Sequence, residues 1–281
     1  MRAGRIHILL LAWALCWAGT AHGDELVLAI HPYTTPTLLV ERFQPMADYL
    51  ALTLQRPVRL YIASSMEEQI RRISRGKVDL AYMGPTAYLR AHDRYADDGE
   101  PRVQLVVGEQ PYRSVIVVRA DSEIEGLADL KGKSFAFVSH QSLGGHYMPR
   151  MRMLEAGVTL ADLRDYAFLG RHERVVLSVL HGDYDAAATS QGIAGKYLAR
   201  MPGLRIVDVS PALPPLSIVA RPGLSASLVG QIREALVSPD EQGKLLLQSV
   251  SSEMRFSVIK DSDFDFARQQ VEAIERGMRR D

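Results

Sequence analysis

A polar, glycine-rich turn within residues 135–149 carries the residue types that bind small anions. Residues 135–138 form an apolar run that predicts a buried strand, and the residues after Ser142 predict an amphipathic helix. A strand that enters a helix through such a turn leaves backbone N–H groups without intrahelical partners. Those donors, together with the positive end of the helix dipole, favour an oxyanion. Ser142 is equally suited to be the N-cap of the helix, so the turn alone leaves both interpretations open.

Two histidines lie in the same turn. His146 would add positive charge near an anion if it were protonated, and His140 is its neighbour in the turn. With His172 and Asp185 these side chains have the types found in metal sites, but nothing in their spacing favours a metal. A histidine that donates one hydrogen bond is the expected alternative, and no metal site is predicted.

Strand and helix patterns alternate along the chain that must position these residues. Apolar runs bounded by turn residues predict strands at residues 25–30, 57–62, 78–83, 103–107, 114–118, 184–188, 204–209 and 216–220. A continuous apolar stripe predicts a first long helix, with Leu39, Phe43, Met46, Leu50 and Leu54 on one face. Three helical segments end the chain. This alternation predicts an α/β fold with largely parallel sheets.

One short pattern occurs twice in the chain. Gly76 precedes a strand that contains Asp79, and Gly182 precedes a strand that contains Asp185. Each glycine is expected to end the helix before it. Two lobes built on one plan would hold a ligand between them, at the carboxyl ends of the strands. Asp185 could bond a ligand there or act only as a structural cap, and the sequence does not decide between these roles.

The amino terminus has the pattern of a secretory signal peptide. Arg2 and Arg5 precede a short apolar run, and small residues lead to Gly23. The run is too short and wrongly flanked for a membrane-spanning helix, so we expect cleavage near Gly23 and export to the periplasm. Leu15 precedes Cys16 where a lipoprotein signal requires a small residue, so no lipid anchor is expected.

The composition excludes several classes of protein. Lys and Arg total 33, Asp and Glu total 33, and the one cysteine lies in the predicted leader. A balanced charge gives no basic surface for nucleic acid, and the mature chain has no thiol for a disulfide or a cysteine metal site. About 258 residues remain after the leader, which suits two lobes better than one core. Without a G-x-S-x-G, P-loop or G-x-G-x-x-G motif, neither an enzyme nor a bound cofactor is expected.

Several short segments, in this order and spacing, resemble one protein family. They are Phe43-x-Pro45, Gly76-x-Val-Asp79 followed by Gly84-Pro85, Tyr112-x-Ser114, Leu127-x-Asp-Leu-Lys-Gly132, the turn with Gly145 and Pro149, and His172 ahead of Val179-Leu-x-Gly182. Together they resemble the periplasmic phosphate, phosphite and phosphonate solute-binding proteins of ABC transporters, over essentially the whole mature chain. The resemblance implies a type II periplasmic-binding fold with a ligand cleft between its lobes. Lobe one is expected at residues 24–112 and 213–281, lobe two at residues 113–212, and the signal peptide at residues 1–23.

The resemblance also implies which residues contact the ligand. The expected ligand-binding residues are Tyr33, Thr34, Tyr82, Tyr112, Ser139, Ser142, Gly144, Gly145, His146, His172 and Asp185. In the family's turn, hydroxyl residues stand where this chain has Leu143 and Gly144. We therefore expect the turn to lose two hydrogen bonds to a phosphonate, each worth about 1 kcal/mol.

The function implied is the capture of a small phosphate- or phosphonate-like anion for an ABC permease, by a monomer. The alternative is a periplasmic sensor that reports its ligand to a membrane-bound signalling partner. The genes next to this one would discriminate the two, because a transporter needs a permease and an ATPase while a sensor needs a signalling partner.

Overall fold

The computed structural model describes residues 25–93, 103–250 and 255–278, so the predicted signal peptide lies outside the described residues. The strands in these ranges follow the predicted alternation closely. They are β1 (Leu26–Ile30), β2 (Val58–Ile62), β3 (Leu80–Met83), β4 (Gln104–Gly108), β5 (Ser114–Arg119), β6 (Ser134–Phe137), β7 (Asp165–Phe168), β8 (Ala186–Ser190), β9 (Leu204–Val209) and β10 (Ser217–Ala220).

Helices separate most of these strands. They are α1 (Pro36–Leu54), α2 (Met66–Ser74), α3 (Pro85–Asp93), α4 (Met148–Glu155), α5 (His172–Leu180), α6 (Gln191–Leu198), α7 (Ala226–Val237), α8 (Glu241–Val250) and α9 (Asp265–Met278). A π-helical turn, Leu143–Tyr147, leads into α4. Within the described ranges, no helix combines the length and the apolar character that crossing a membrane requires.

The strands form two five-stranded sheets of the same plan. The first has the order β2-β1-β3-β10-β4 and the second the order β7-β6-β8-β5-β9. In each sheet one strand, β10 or β5, runs antiparallel to both of its neighbours, while the other neighbouring pairs are parallel. This mixed α/β architecture with one sheet in each lobe is the predicted fold.

The apolar stripe of α1 covers one face of the first sheet. Leu39, Phe43, Met46 and Leu50 are fully buried there, and Leu54 packs at the margin of the same cluster. Thr35 caps the helix by accepting a hydrogen bond from the Leu38 backbone, which satisfies one of the N–H groups left free at a helix start. The helix that follows β1 is therefore fixed both by burial and by its cap.

The repeated glycine-to-aspartate pattern has the same role in both lobes. Asp79 Oδ2 accepts a hydrogen bond of 2.9 Å from the Val27 backbone in β1, and Asp185 Oδ2 accepts one of 2.8 Å from the Ser134 backbone in β6. Each carboxylate also pairs with an arginine at 2.8 Å. Each aspartate thus ties the amino end of the most central parallel strand to its neighbour, and the chain repeats one structural device in two lobes.

Two linkers connect the sheets. One runs from the end of β4 to the start of β5, and the other from the end of β9 to the start of β10. Tyr112 and Leu213 exchange backbone hydrogen bonds of 3.3 and 2.7 Å between them. The two crossing segments therefore support each other, and the lobe boundaries at residues 112/113 and 212/213 stay our prediction.

The last helix contacts both halves of the molecule. α9 packs against α3, against α4 and against the π-helical turn. Its residues Val271 and Ile274 are buried in one cluster with Tyr147 and Met148. Glu275 Oε1 also accepts a hydrogen bond of 3.0 Å from the Tyr147 hydroxyl. The chain terminus thus joins the first sheet's helices to the element that follows β6.

Candidate functional site

Polar residues of the two lobes lie near one another where the linkers cross. The first linker begins at the end of β4, at the carboxyl edge of the first sheet. It leads into β5, which is antiparallel to β8, so β5 starts at the carboxyl edge of the second sheet. His31 follows β1, and its pKa is depressed by burial and additionally by the charge of His172, the first residue of α5. Tyr33 likewise feels the charge of Glu173.

Hydrogen bonds within the turn itself hold the strand-turn-helix of the second lobe together. The Ser142 hydroxyl accepts a hydrogen bond of 2.9 Å from the Gly145 backbone, so Ser142 is the N-cap, one of the two interpretations that the sequence left open. The Gly145 carbonyl accepts from the Val138 backbone at 3.0 Å, and the Ser139 carbonyl accepts from the Ser142 backbone at 3.1 Å. The turn is thus held by its own hydrogen bonds, and the Ser142 oxygen is used as an acceptor while its O–H can still donate.

Tyr112 covers Gly144. A Cβ atom placed at Gly144 would lie only 2.9 Å from Cε2 of the Tyr112 ring, so only glycine admits the ring at this distance. Burial raises the pKa of Tyr112, and the Gly144 N–H, which faces its hydroxyl, partly opposes that effect. The Ser114 hydroxyl donates to the Gly144 carbonyl. These contacts explain the glycine at this position, where the resemblance had led us to expect a hydroxyl residue.

His146 does not supply the positive charge that was expected of it. Its side chain is 1% exposed and lies against the rings of Phe137 and Phe168. Burial lowers its pKa to about 4, so the imidazole is neutral near pH 7. Its Nδ1 lies 2.8 Å from the His140 carbonyl and donates to it in the neutral form. The expectation of added charge is wrong, because His146 belongs to the aromatic core of the second lobe.

Two hydrogen bonds to Nδ1 fix the orientation of the His172 ring. Its Nδ1 lies 3.0 Å from the Thr189 hydroxyl and accepts at 3.3 Å from the Ser190 backbone N–H, so the neutral ring carries its proton on Nε2. Burial lowers the pKa of His172 to about 4. The second lobe therefore offers one neutral, oriented N–H donor at this place.

The turn after β1 contributes the facing residues of the first lobe. The rings of His31 and Tyr33 lie 5.0 Å apart, and Thr34 is partly buried beside them. Burial lowers the pKa of His31 to about 4 and raises that of Tyr33 to about 12. At neutral pH both side chains are uncharged hydrogen-bonding groups.

Two ionisable side chains, Arg42 and Glu109, lie near this turn. Arg42 of α1 is close enough to Tyr33 and to Glu109, at the end of β4, for their charges to affect one another. The Tyr82 hydroxyl donates to Glu109 Oε1 at 2.7 Å, while its ring packs against Phe43. Tyr82 was expected to be a wall residue of the site; its ring is core and only its hydroxyl reaches Glu109.

Sequence reasoning missed His31, Arg42 and Glu109. A signal for Arg42 was present, because this cation is three residues after Leu39 and four before Met46 and therefore lies on the same side of α1 as the apolar stripe. Glu109 and His31 each follow a strand at its carboxyl end, where polar residues of α/β folds meet.

The placement predicted for Asp185 is wrong. A ligand was expected at the carboxyl ends of the strands, but β8 begins at Ala186, so Asp185 lies at its amino edge, while His172 contacts residues at its carboxyl end. Its carboxylate is engaged by Ser134 and Arg164. Asp185 is therefore the structural cap that the sequence left as its second role.

His140 and His146 lie side by side, with ring centres 6.2 Å apart, but they do not form a metal-binding group with His172 and Asp185. Within the described part of the chain, no group of three or more His, Asp or Glu side chains is arranged to hold a metal ion.

Acid is expected to destabilise the ligand-free protein. Burial holds the pKa of His31, His146 and His172 near 4, below the ordinary value of 6.5. Between these values the unfolded chain binds more protons than the folded chain, so the free energy of unfolding falls as the pH drops from about 6.5 to about 4. Thermal melts across this range measure the effect.

His146→Phe provides the control, because it keeps an aromatic ring in the cluster and removes one titrating group. The variant should lose stability less steeply over the same pH range. Burial raises the pKa of Glu109, so protonation of this group makes the free energy of unfolding rise, not fall, as the pH drops. Glu109 therefore cannot cause the decline in stability. A melting temperature that is constant from pH 6.5 to pH 4, or an unchanged slope in the variant, would contradict this account.

Comparison with known proteins agrees with this architecture. PhnD1 from Prochlorococcus marinus, solved in complex with methylphosphonate, superposes with a TM-score of 0.79 at 19% identity, covering 89% of this chain and 98% of that one. A binding protein component of an ABC phosphonate transporter from Pseudomonas aeruginosa has a TM-score of 0.74 at 19% identity, covering 88% and 85%. At these identities the likeness establishes the fold.

Sequence comparison identifies the family. The phosphate-import protein PhnD of Mycolicibacterium smegmatis is 28% identical over 187 residues, which are 59% of this chain and 56% of that relative's length. The model of a family described as "ABC transporter, phosphonate, periplasmic substrate-binding protein" matches residues 28–264. That family consists of transport proteins rather than enzymes. The chain belongs to the periplasmic substrate-binding proteins of ABC phosphonate transporters.

Proposed function

We propose that this protein captures a small phosphonate or phosphate ion in the cleft between its lobes and delivers it to an ABC permease. The observation that carries the proposal is the proximity of His31 and Tyr33 in one lobe to His172 and Glu173 in the other. A ligand that contacts both sets bridges the lobes and favours the state in which they are close. Similar proteins are a phosphate-import protein and a protein in complex with methylphosphonate.

The chemistry of these residues suits an oxyanion. Tyr33 donates through its hydroxyl, His172 donates through Nε2–H, and Arg42 supplies a positive charge nearby. Donors preorganised in a partly dry site strengthen their bonds to a negatively charged oxygen. Thr34 extends the same hydroxyl-bearing turn.

The remaining parts of the proposal concern the partner and the form of the protein. The mature chain acts in the periplasm as a monomer after removal of residues 1–23. Closure of lobe one (residues 24–112 and 213–281) on lobe two (residues 113–212) presents one combined surface to the permease. Size-exclusion chromatography of the mature chain tests the monomer.

Ligand binding is expected to raise the melting temperature. At a free ligand concentration of about 100 times Kd, mass action stabilises the folded protein by about 2.7 kcal/mol, equivalent to roughly 5–10 °C in a protein of this size. A thermal-shift series with methylphosphonate, phosphate, phosphite, methanesulfonate and acetate measures it. The tetrahedral phosphorus anions should give the largest shifts.

Choline, a small cation, provides the matched negative control at the same ionic strength. Absence of a shift with every anion, or an equal shift with choline, would contradict an oxyanion-binding function.

A further inference from the structure

We infer that the oxyanion is held by a lobe-one subsite made of His31, Tyr33 and Arg42, with Arg42 as its counter-charge, rather than by the strand-turn-helix of lobe two. We call these three residues the Arg42 subsite. The inference rests on the proposed function and specifies where in the molecule the ligand's negative charge lies.

Several backbone donors of the lobe-two turn are already engaged, although the Ser142 hydroxyl, which only accepts there, keeps its own proton to donate. The Gly145 N–H is bonded to the Ser142 hydroxyl at 2.9 Å, and the Tyr147 N–H is bonded to the Ser142 carbonyl at 3.1 Å. The Gly144 N–H faces the Tyr112 hydroxyl, and the Tyr112 ring lies against the Gly144 Cα. An anion at the turn would have to displace this ring and break the cap.

In the Arg42 subsite, by contrast, buried polar atoms lack hydrogen-bond partners of full geometry within the described part of the chain. His31 Nδ1, Tyr33 Oη and Arg42 Nε are all buried, and these three atoms have no hydrogen-bond partner of full geometry among the described residues. Tyr33 and Arg42 still interact with each other, and the Arg42 guanidinium carbon lies 5.9 Å from the centre of the Tyr33 ring. Leaving a buried polar atom unpaired is energetically costly, and more so for a charged group. Such atoms are rare in native proteins, so three within one small region indicate a place that a polar ligand completes.

The charges of the surrounding groups support this assignment. Arg42 lies near one carboxylate, Glu109, whose pKa is raised by burial and lowered in part by Tyr82 and Arg42. Because burial raises the pKa of Glu109, the charged form of this carboxyl is disfavoured relative to an ordinary glutamate. Tyr33 and Tyr82 add only neutral hydroxyls at neutral pH. An oxyanion is therefore the group whose charge complements Arg42.

The opposite lobe supplies the complementary contact. Protonation of His172 would lower the pKa of His31, so the two imidazoles lie within electrostatic range, and the neutral His172 carries its proton on Nε2. A tetrahedral anion bonded to Arg42 has further oxygens available for a donor from the second lobe. In this arrangement the Arg42 subsite binds the ligand, and the contact with His172 makes closure of the two lobes depend on the bound ligand.

Isothermal titration calorimetry of the mature protein with methylphosphonate and with phosphate tests the assignment. Arg42→Gln should weaken the better ligand by about 100-fold, the loss expected when charge-assisted hydrogen bonds are removed. Arg42→Lys keeps the charge without the planar fork and should recover part of the affinity. Arg56→Gln, which removes a guanidinium just after α1, is the matched control and should bind like the parent. Ser142→Ala, which alters only the lobe-two turn, should change the affinity by less than about threefold.

The outcomes separate this inference from the function on which it rests. Binding that survives in Arg42→Gln but falls more than about tenfold in Ser142→Ala places the anion at the lobe-two turn and overturns the inference alone. No binding by the parent protein contradicts the proposed function itself. If Arg42→Gln is unfolded by circular dichroism, Tyr33→Phe takes its place with an expected loss of about tenfold. Unchanged affinity in Tyr33→Phe would also overturn the assignment.

Discussion

Replacing Gly145 with alanine is expected to destabilise the protein by about 3 kcal/mol. A Cβ atom at this position would lie 2.5 Å from both Cβ and Cγ2 of Val138, and 2.8 Å from the Ser142 hydroxyl. Val138 is buried and β-branched, so its side chain cannot rotate away, and the Gly145 carbonyl is held by the Val138 backbone. The backbone of the turn must move, which breaks the cap of the helix that follows.

Urea denaturation followed by circular dichroism measures the loss. Gly192→Ala is the matched control, because Gly192 lies in the first turn of α6 and an added Cβ there would have no neighbour within 4 Å. That variant should be neutral or gain about 0.5–1 kcal/mol from the better helix propensity of alanine. Equal midpoints for Gly145→Ala and the parent would show that the turn yields easily, contrary to the contacts described.

Ile274→Asp is expected to cost about 4 kcal/mol and to loosen both lobes together. Ile274 of α9 is 2% exposed and lies in a cluster that includes Tyr147 and Met148 from the second lobe as well as helices of the first. A carboxylate there would be desolvated without a partner. The disturbed helix would also release the Glu275 carboxylate from the Tyr147 hydroxyl.

Hydrogen exchange by mass spectrometry distinguishes this joint effect from a local one. Faster exchange is expected both in α3 and in α4. Gln269→Asp introduces the same side chain on the exposed face of α9 and should leave exchange and stability within about 0.5 kcal/mol of the parent. Faster exchange confined to α9 would mean that the helix does not connect the lobes mechanically.

Local patterns in the sequence were sufficient to predict most of the architecture. The stripe of α1 is buried as its spacing requires, because a helix with apolar residues on one side can only be stabilised by covering a sheet. Gly76 and Gly182 end their helices with φ of 64° and 82°, a conformation that glycine adopts without strain. The repeated glycine-to-aspartate pattern and the chain length indicated two lobes before the family resemblance did, and the structure has two five-stranded sheets.

Features that depend on distant partners were not predicted. β7 was missed because it is an edge strand whose four residues, Asp165–Phe168, are exposed or only partly buried, so its sequence lacks the apolar run of a central strand. Arg42 and Glu109 are separated by 67 positions along the chain, and no local pattern links them. The sequence indicated only that Gly144 lacks a hydroxyl group. Its role is to make room for the ring of Tyr112, a residue of the linker that is distant in sequence.

The position of β10 has a consequence for how the chain assembles. In the first sheet β10 lies between β3 and β4, so among the described strands β4 pairs with β10 alone, although about 110 residues separate them. The second sheet, β5 to β9, is continuous in sequence and lies entirely between these two partners. A chain that emerges from the ribosome or the export channel amino end first can therefore complete the second lobe while β4 still waits for its neighbour. The first lobe, which contains the amino-terminal strands, is therefore the last to complete its sheet.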